Sequence, residues 1–451
     1  DVAGMSLARR DAMMLACGAG LALGLAGTLR RPAAGLPSGR VVEVALEARA
    51  ATVEVAGERA RLLTYDGRFP GPLIRAAEGD RLRIELVNTL DEPTNLHFHG
   101  LHVSPGGNGD NVFREVPPGG RGRYELQVPA GFGGTFWYHP HVHKRLARQL
   151  WAGLAGPLVI ERPGIDDAAG LAVAEEQVVV VKDLALVDGA PAPHGTGDWA
   201  RGKSGTLVLA NGRLRPRLQA TRPLVRLRLV NACNARLLRL ARGDGMPIAL
   251  AALDGHLLQA PMALEEVLLA AAQRADFLLA LEPGRKLDLV LKPYSSGSRR
   301  EPSRAQTLLS LEGPDVPAPG LPARLATIEP LDAADATHRR RFRMAMAFMT
   351  ADGHAHHAPV RIRLGALELW EIENVDTQDH VFHLHTWPFQ IWRQDGRPPP
   401  FPAWRDTVNL RPGERVELLV PFRGFAGTSV FHCHIAEHGD AGMMGIVEVR
   451  A

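Results

Sequence analysis

The chain has 451 residues, 45% of them hydrophobic and 22% charged, with a formal charge of +3. That length suggests about three domains of an ordinary globular protein with ample core. The positive charge is carried by Arg, since only five Lys occur, and no basic stripe with interleaved aromatics is present, which excludes nucleic acid as a partner.

In chain order, residues 1–38 read as an export signal and linker. Arg9-Arg10 precede an apolar, uncharged run from Ala12 to Gly27, which is too short for a bilayer span of about 20 residues. Twin arginine before such a run resembles a Tat signal. An exported, periplasmic or secreted protein with no stable membrane span is expected. Cys17 would leave with the signal, so the mature chain keeps only Cys233 and Cys433. Two cysteines make no disulfide framework. Cys233 is expected to be a buried core thiol.

Past the signal, the sequence repeats. A strand-like segment ending in Asn occurs at 79–88, 222–231 and 365–374, with Asn88, Asn231 and Asn374 spaced 143 residues apart both times. Alternation predicts that Leu82, Ile84 and Leu86, and then Val225, Leu227 and Leu229, face a core with charged residues outward; the third copy alternates less cleanly. A second repeat joins only the outer units: Gly131-Phe-Gly-Gly-Thr-Phe-Trp-Tyr-His-Pro-His141 matches Gly424-Phe-Ala-Gly-Thr-Ser-Val-Phe-His-Cys-His434. Strand-rich units of this size suit β-sandwiches. The expected fold is all-β, three sandwiches in a row, at 39–165, 171–314 and 325–451.

Ten of the eighteen histidines fall in four clusters: His97-Phe-His99; His139-Pro-His141; His380, His383 and His385; and His432-Cys433-His434 with His438. Residues i and i+2 of a strand share a face, so each His-x-His pair offers two imidazoles to one side, roughly 6–7 Å apart. Parity then separates two sites. Cys433 must leave the face used by His432 and His434, and His380, an odd step from His383, leaves the face of His383 and His385. Cys433 and His380, with His438 and Met443 from the following loop, form the ligand set of a blue-copper electron-transfer centre. The other eight histidines form a second site, suited to three copper ions with room for O2. A single thiolate with Met and eight His is not a usual zinc set. An electron arriving at Cys433 would have a through-bond route to the second site.

These residues resemble the multicopper oxidase family of laccases, cuprous oxidases, bilirubin oxidases and ferroxidases. The likeness runs from about residue 40 to the end and includes 65–75 and 376–387. The resemblance implies three cupredoxin domains and four coppers. Type 1 copper would have His380, Cys433, His438 and Met443; type 2, His97 and His383; the type 3 pair, His99, His139, His141, His385, His432 and His434. It also implies that the ring edge of His438 faces the substrate pocket. Relatives often place Glu after that histidine for proton supply; here Gly439 and then Asp440 follow. Asp110 is the other acid candidate, with a turn-forming role equally open, and Glu437 matches the family while serving either proton supply or the placement of His438.

Met344, Met346 and Met349 with His354, His356 and His357 can be read as a copper-collecting site, but a plain strand and polar loop give the same spacing and that reading is favoured. His143 is expected in a supporting or surface role, and Trp387, Phe389 and Trp392 in core packing or at a pocket border. The leading functional expectation is a laccase-like oxidase of phenols and aromatic amines, using O2 as acceptor and acting as a monomer. The runner-up is a Cu(I) or Fe(II) oxidase, which requires carboxylates or Met near the blue copper. A copper-free envelope or cell-division scaffold of the same fold is disfavoured by the complete ligand set.

Overall fold

A computed structural model describes residues 39–162, 164–297, 304–346, 348–349 and 358–451. The leader at 1–38 with Cys17, and His354, His356 and His357, lie outside the described residues. Among the described residues no helix is long and apolar enough to cross a membrane.

Six of the sheets pack in pairs. Strands between Val41 and Glu161 form two four-stranded sheets; those between Glu175 and Glu312 form sheets of six and five, as do those between His338 and Arg450. Each pair closes on its own apolar core: Leu46, Leu82 and Tyr124 meet Phe98, Phe136 and Leu158 in the first, Val181, Leu227 and Phe277 meet Leu240, Leu289 and Leu309 in the second, and Phe342, Trp370 and Leu418 meet Phe382, Phe431 and Val447 in the third. The chain is all-β, built of three successive cupredoxin-like sandwiches.

The Asn repeat has one structural cause. In each sandwich the first strand runs parallel to the Asn-terminated strand, pairing Ala48 with Asn88, Val181 with Asn231 and Met344 with Asn374. Every one of these Asn side chains is buried. Each Oδ1 accepts the amide two residues on, from Leu90, Cys233 and Asp376. Each Nδ2 donates to carbonyls where the strand stops, such as Val116, Ala270 and Leu410. Asn serves because one short amide both donates and accepts across a turn.

Alternation holds in the first copy, where Leu82, Ile84 and Leu86 are buried and Arg81 and Arg83 exposed. It needs correction in the second. Val225, Leu227 and Leu229 do face the core, but Arg226 and Arg228 are also buried rather than outward, because they meet Asp276, Asp166 and Glu176 where the first and second sandwiches touch. In the third copy Glu368 is buried and accepts from Trp370 Nε1 at 2.8 Å, which breaks the pattern. The second repeat also has a backbone reason. Gly134 and the matching Gly427 hold φ of +153° and +144°, and a Cβ on Gly134 would lie 1.6 Å from the Gly255 carbonyl. Only glycine lets this strand approach the second sandwich so closely.

Candidate copper centres

The four histidine clusters sit on paired strands. His97–His99 runs antiparallel to Gly134–His139, with His97 opposite His139. His380–Leu384 runs antiparallel to Gly427–Cys433, with His383 opposite His432 and Phe382 opposite Cys433. The first and third sandwiches bring these strands together. His97 stacks on His385 and His99 on His383, each with ring centroids 3.8 Å apart. His432 Nε2 lies 3.1 Å from His141 Nε2 and 3.0 Å from His385 Nε2. All eight histidines are at most 4% exposed.

The unused nitrogens show what this arrangement fits. His97 Nε2, His99 Nδ1, His139 Nε2, His383 Nε2 and both nitrogens of His434 are buried without a hydrogen-bond partner. Unpaired buried polar atoms are rare and costly, and here they gather in one place. On several rings the opposite nitrogen is taken: His97 Nδ1 by Asp110 at 2.9 Å, His139 Nδ1 by the Pro140 carbonyl at 2.8 Å, His383 Nδ1 by the Asp406 carbonyl at 2.8 Å and His432 Nδ1 by the Cys433 carbonyl at 3.0 Å. Such contacts place the proton on the far nitrogen and leave a lone pair for metal. Burial first, then the neighbouring imidazoles, holds His97, His385 and His434 well below the usual imidazole range, and burial pushes His141 down to about 3. Neutral imidazoles are the ligand form.

Cys433 turns to the other face. Its Sγ lies 3.7 Å from His380 Nδ1 and 3.7 Å from His438 Nδ1. The far nitrogens are again engaged, His380 Nε2 with Asp376 at 3.0 Å and His438 Nε2 with the Ala200 carbonyl at 3.2 Å. Met443 is buried in the same core, and its carbonyl accepts from the Cys433 amide at 3.0 Å. Burial pushes the Cys433 thiol up to about 12. A thiolate there needs a cation bonded to sulfur, which a blue-copper donor set provides. Ligand atoms of His97, His99 and His139, of His97, His383 and His385, of His141, His385 and His432, and of His380, Cys433 and His438 form groups close enough to hold metal ions.

The acids divide. Asp110 is buried, with both oxygens on His97 Nδ1 and one accepting the Phe98 amide at 3.0 Å; burial pushes its carboxyl up to about 8. Glu437 accepts from His194 Nε2 at 2.9 Å and Asn234 Nδ2 at 2.8 Å. Asp440 accepts the Ala147 amide at 2.8 Å, which ties the helix Ala436–Asp440 to Leu146–Trp151. Neither meets a cluster histidine. Gly439 would, since a Cβ there lies 3.7 Å from His432 Nδ1. His143 is exposed, while Trp387 and Phe389 are core residues. Met344 is likewise core, and Met346 Sδ lies 3.5 Å from Gln378 Nε2.

Sequence reasoning missed Asp406. Its Oδ1 meets His99 Nε2 at 3.1 Å, its carbonyl meets His383, and Arg274 clamps both carboxylate oxygens at 2.9 and 2.6 Å. Burial opposes its charge, yet Arg274 and the two histidines hold it well below the usual carboxylate range. The ring edge of His438 is also covered. The helix Thr196–Arg201 lays Ala200 over it, and Lys203 pins that segment to Asp198 and the Pro193 carbonyl.

Fold and site together define a cupredoxin-type copper protein with one thiolate site and one eight-histidine site. The comparisons agree. Two family models, each described as multicopper oxidase, match residues 47–164 and 327–451. The chain is 30% identical to the multicopper oxidase mco of Staphylococcus haemolyticus over 86% of this chain and 83% of that one. It is 29% identical to the cell division protein FtsP of Dickeya dadantii over 86% and 85%. Among solved structures, a multicopper oxidase from Campylobacter jejuni, described as a metallo-oxidase, superposes with TM-score 0.82 at 27% identity over 92% of this chain and 96% of that one. A laccase-like multi-copper oxidase, CueO from the lignin-degrading Ochrobactrum sp., with activity towards lignin model compounds and lignosulfonate, gives 0.81 at 26% over 92% and 100%. The chain belongs to the multicopper oxidase family, whose members bind four copper ions and couple oxidation of a reducing substrate to reduction of O2.

Proposed function

We propose that this multicopper oxidase draws its electrons from a small metal cation, Cu(I) or Fe(II), and reduces O2 to water. One observation carries the choice of donor. Asp376, with a fifth of its side chain exposed, hydrogen-bonds His380 Nε2, and Gln378 beside it reaches Met346 Sδ, whereas the edge of His438 is closed by Ala200. A carboxylate and a thioether near the thiolate site are what a metal donor requires. The Asp376 carboxyl is held below its usual range by the Thr377 amide and by His380, against the opposing effect of burial, so it stays anionic for a cation.

In this reading His380, Cys433, His438 and Met443 would hold type 1 copper, which would supply single-electron chemistry. His97 and His383 would hold the type 2 ion, and His99, His139, His141, His385, His432 and His434 the type 3 pair, which together would supply the chemistry of O2 reduction. Cys433 is joined by one peptide unit to each of His432 and His434, so an electron leaving the thiolate has a covalent path to both. Asp110 orients His97. The complete ligand set argues against a cell-division role of the kind named for FtsP. Export by the N-terminal segment, a monomeric state and domain limits at 39–165, 171–314 and 325–451 belong to the same proposal.

A second reading, oxidation of phenols and aromatic amines, is supported by the lignin-active structural relative and requires the 193–203 segment to swing off His438. Oxygen uptake with Cu(I), Fe(II), a phenol and an aromatic amine, run side by side, tests the choice. The metal ions are expected to be faster, and Asp376→Asn to lower kcat/KM for them at least tenfold more than for the phenol. Equal losses, or organic donors outpacing both ions, would overturn the metal reading in favour of the phenol one.

A further inference from the structure

Where the three sandwiches meet, a cavity of about 200 Å3 is lined by His102, Phe132, His256, Pro388, Trp404 and Arg423 among others. It is separate from the Asp376 face of the thiolate site. Its floor is built around His102. The repeated loops of the first and third sandwiches clamp that ring between Phe132, with centroids 4.3 Å apart, and Phe425 at 4.9 Å. Its Nδ1 donates to the Thr386 carbonyl at 2.7 Å, which leaves Nε2 with a lone pair and no proton. Burial keeps this ring neutral, with protonation pushed down to about 4. Gly424, at φ +87°, preserves the space beside it, since a Cβ there would lie 2.5 Å from Nε2. His256, 6% exposed, contributes an Nε2 that is buried without a partner.

The walls are apolar and aromatic, and the rim is cationic. The Arg423 guanidinium stands 5.8 Å over the Trp404 ring and makes no ion pair among the described residues. Among the described residues no carboxylate lines the cavity. An occupant must therefore supply a hydroxyl donor for His102 Nε2, a flat apolar body between Phe132, Pro388 and Trp404, and a negative charge for Arg423. The volume is sufficient, because a cavity of about 150 Å3 already takes a benzene ring.

We infer that this cavity binds a monocyclic hydroxyaromatic carboxylate, with its hydroxyl on His102 and its carboxylate at Arg423. The site does not depend on which donor reduces the enzyme, so it stands or falls apart from the metal-donor reading. Thr386, the acceptor of His102, directly follows the cluster residue His385, so two hydrogen bonds, the His102 ring between them and one peptide unit join the bound molecule to the cluster.

The test is calorimetric titration of the copper-loaded protein with 4-hydroxybenzoate, with benzoate and phenol as probes that each lack one polar end. Saturable one-to-one binding of 4-hydroxybenzoate is expected, at least tenfold tighter than either truncated probe. Arg423→Gln, a rim substitution that spares the core, is expected to weaken 4-hydroxybenzoate about tenfold and to leave phenol unchanged. Absence of saturable binding overturns the inference. So does equal affinity for all three probes, or binding that Arg423→Gln leaves intact.

Discussion

Asp406 shows how a single side chain organises the cluster from outside it. Its carboxylate takes the proton of His99 and two from Arg274, and its carbonyl takes that of His383. Asp406→Asn keeps the shape but removes the charge, turning an amide NH2 toward Arg274 or His99. Loss of a buried partner of this kind costs about 3 kcal/mol, and an outer contact on a ligating histidine is worth about 10–100-fold in metal affinity. The variant is expected to melt lower and to carry fewer than four coppers per chain by elemental analysis, with the blue colour retained because none of the proposed type 1 ligands touches Asp406. A fully loaded variant with an unchanged midpoint would refute this. Asp406 was not legible in the sequence. It meets His383 only because Thr407–Leu410 pairs with His380–Leu384, Thr407 opposite His383, and no local spacing announces a pairing made between strands. Asp110 was legible as a candidate but not as a ligand partner, for the same reason.

At the scale of the element, the strand Gly427–Cys433 does two jobs by alternation. Phe431 and Cys433 face the core while His432 faces the cluster, so the period of two that sorted the ligands in the sequence is the period the strand uses. Cys433→Ser tests the separation. The hydroxyl is a poor ligand for the soft site, so the blue absorption and turnover with every donor are expected to vanish, while copper content falls only from four to about three, as one of two independent sites is lost. Retained turnover would remove the electron route through this strand. The Asn-ended strands make a further case. Asn231→Ala strips partners from the Arg236, Leu269 and Ala270 carbonyls and the Cys233 amide, which costs about 2–3 kcal/mol. Because the second sandwich holds none of the cluster histidines, urea unfolding is expected to shift while copper content does not. The spacing of these Asn residues revealed three equivalent units. It did not reveal that Arg226 and Arg228 would be buried, because alternation knows which face a residue takes but not what another sandwich lays against it. The cover over His438 was hidden likewise: it comes from a segment more than 230 residues earlier in the chain.

For the whole molecule, the question is why a sandwich without cluster histidines is kept. Arg274 of the second sandwich grips Asp406 of the third and donates to the Thr135 carbonyl of the first at 3.2 Å. Arg228 donates to Thr135 Oγ1 at 2.9 Å and to Asp276 at 3.0 Å, and Thr135 Oγ1 donates to Asp276 at 2.6 Å. Thr135 lies four residues before His139 on one strand, so the second sandwich holds the cluster's first half against its second. Arg228→Met removes the cation from a buried acid and is expected to cost about 3–5 kcal/mol. The proposed type 1 ligands all come from the third sandwich, so blue absorption should survive while cluster copper is depleted. The pH dependence has a definite sign. Burial would raise the Asp276 carboxyl, but Arg228 and Arg226 hold it below its usual range. A depressed carboxylate stabilises the fold above its unfolded value, about 4, and that contribution is lost as pH falls through the folded value. The stability gap between wild type and Arg228→Met should therefore be widest near neutrality and narrow below about pH 4. Thermal melts across that range decide it: a gap that stays constant as the acid titrates would mean that Arg228 acts by packing and not by holding the Asp276 charge.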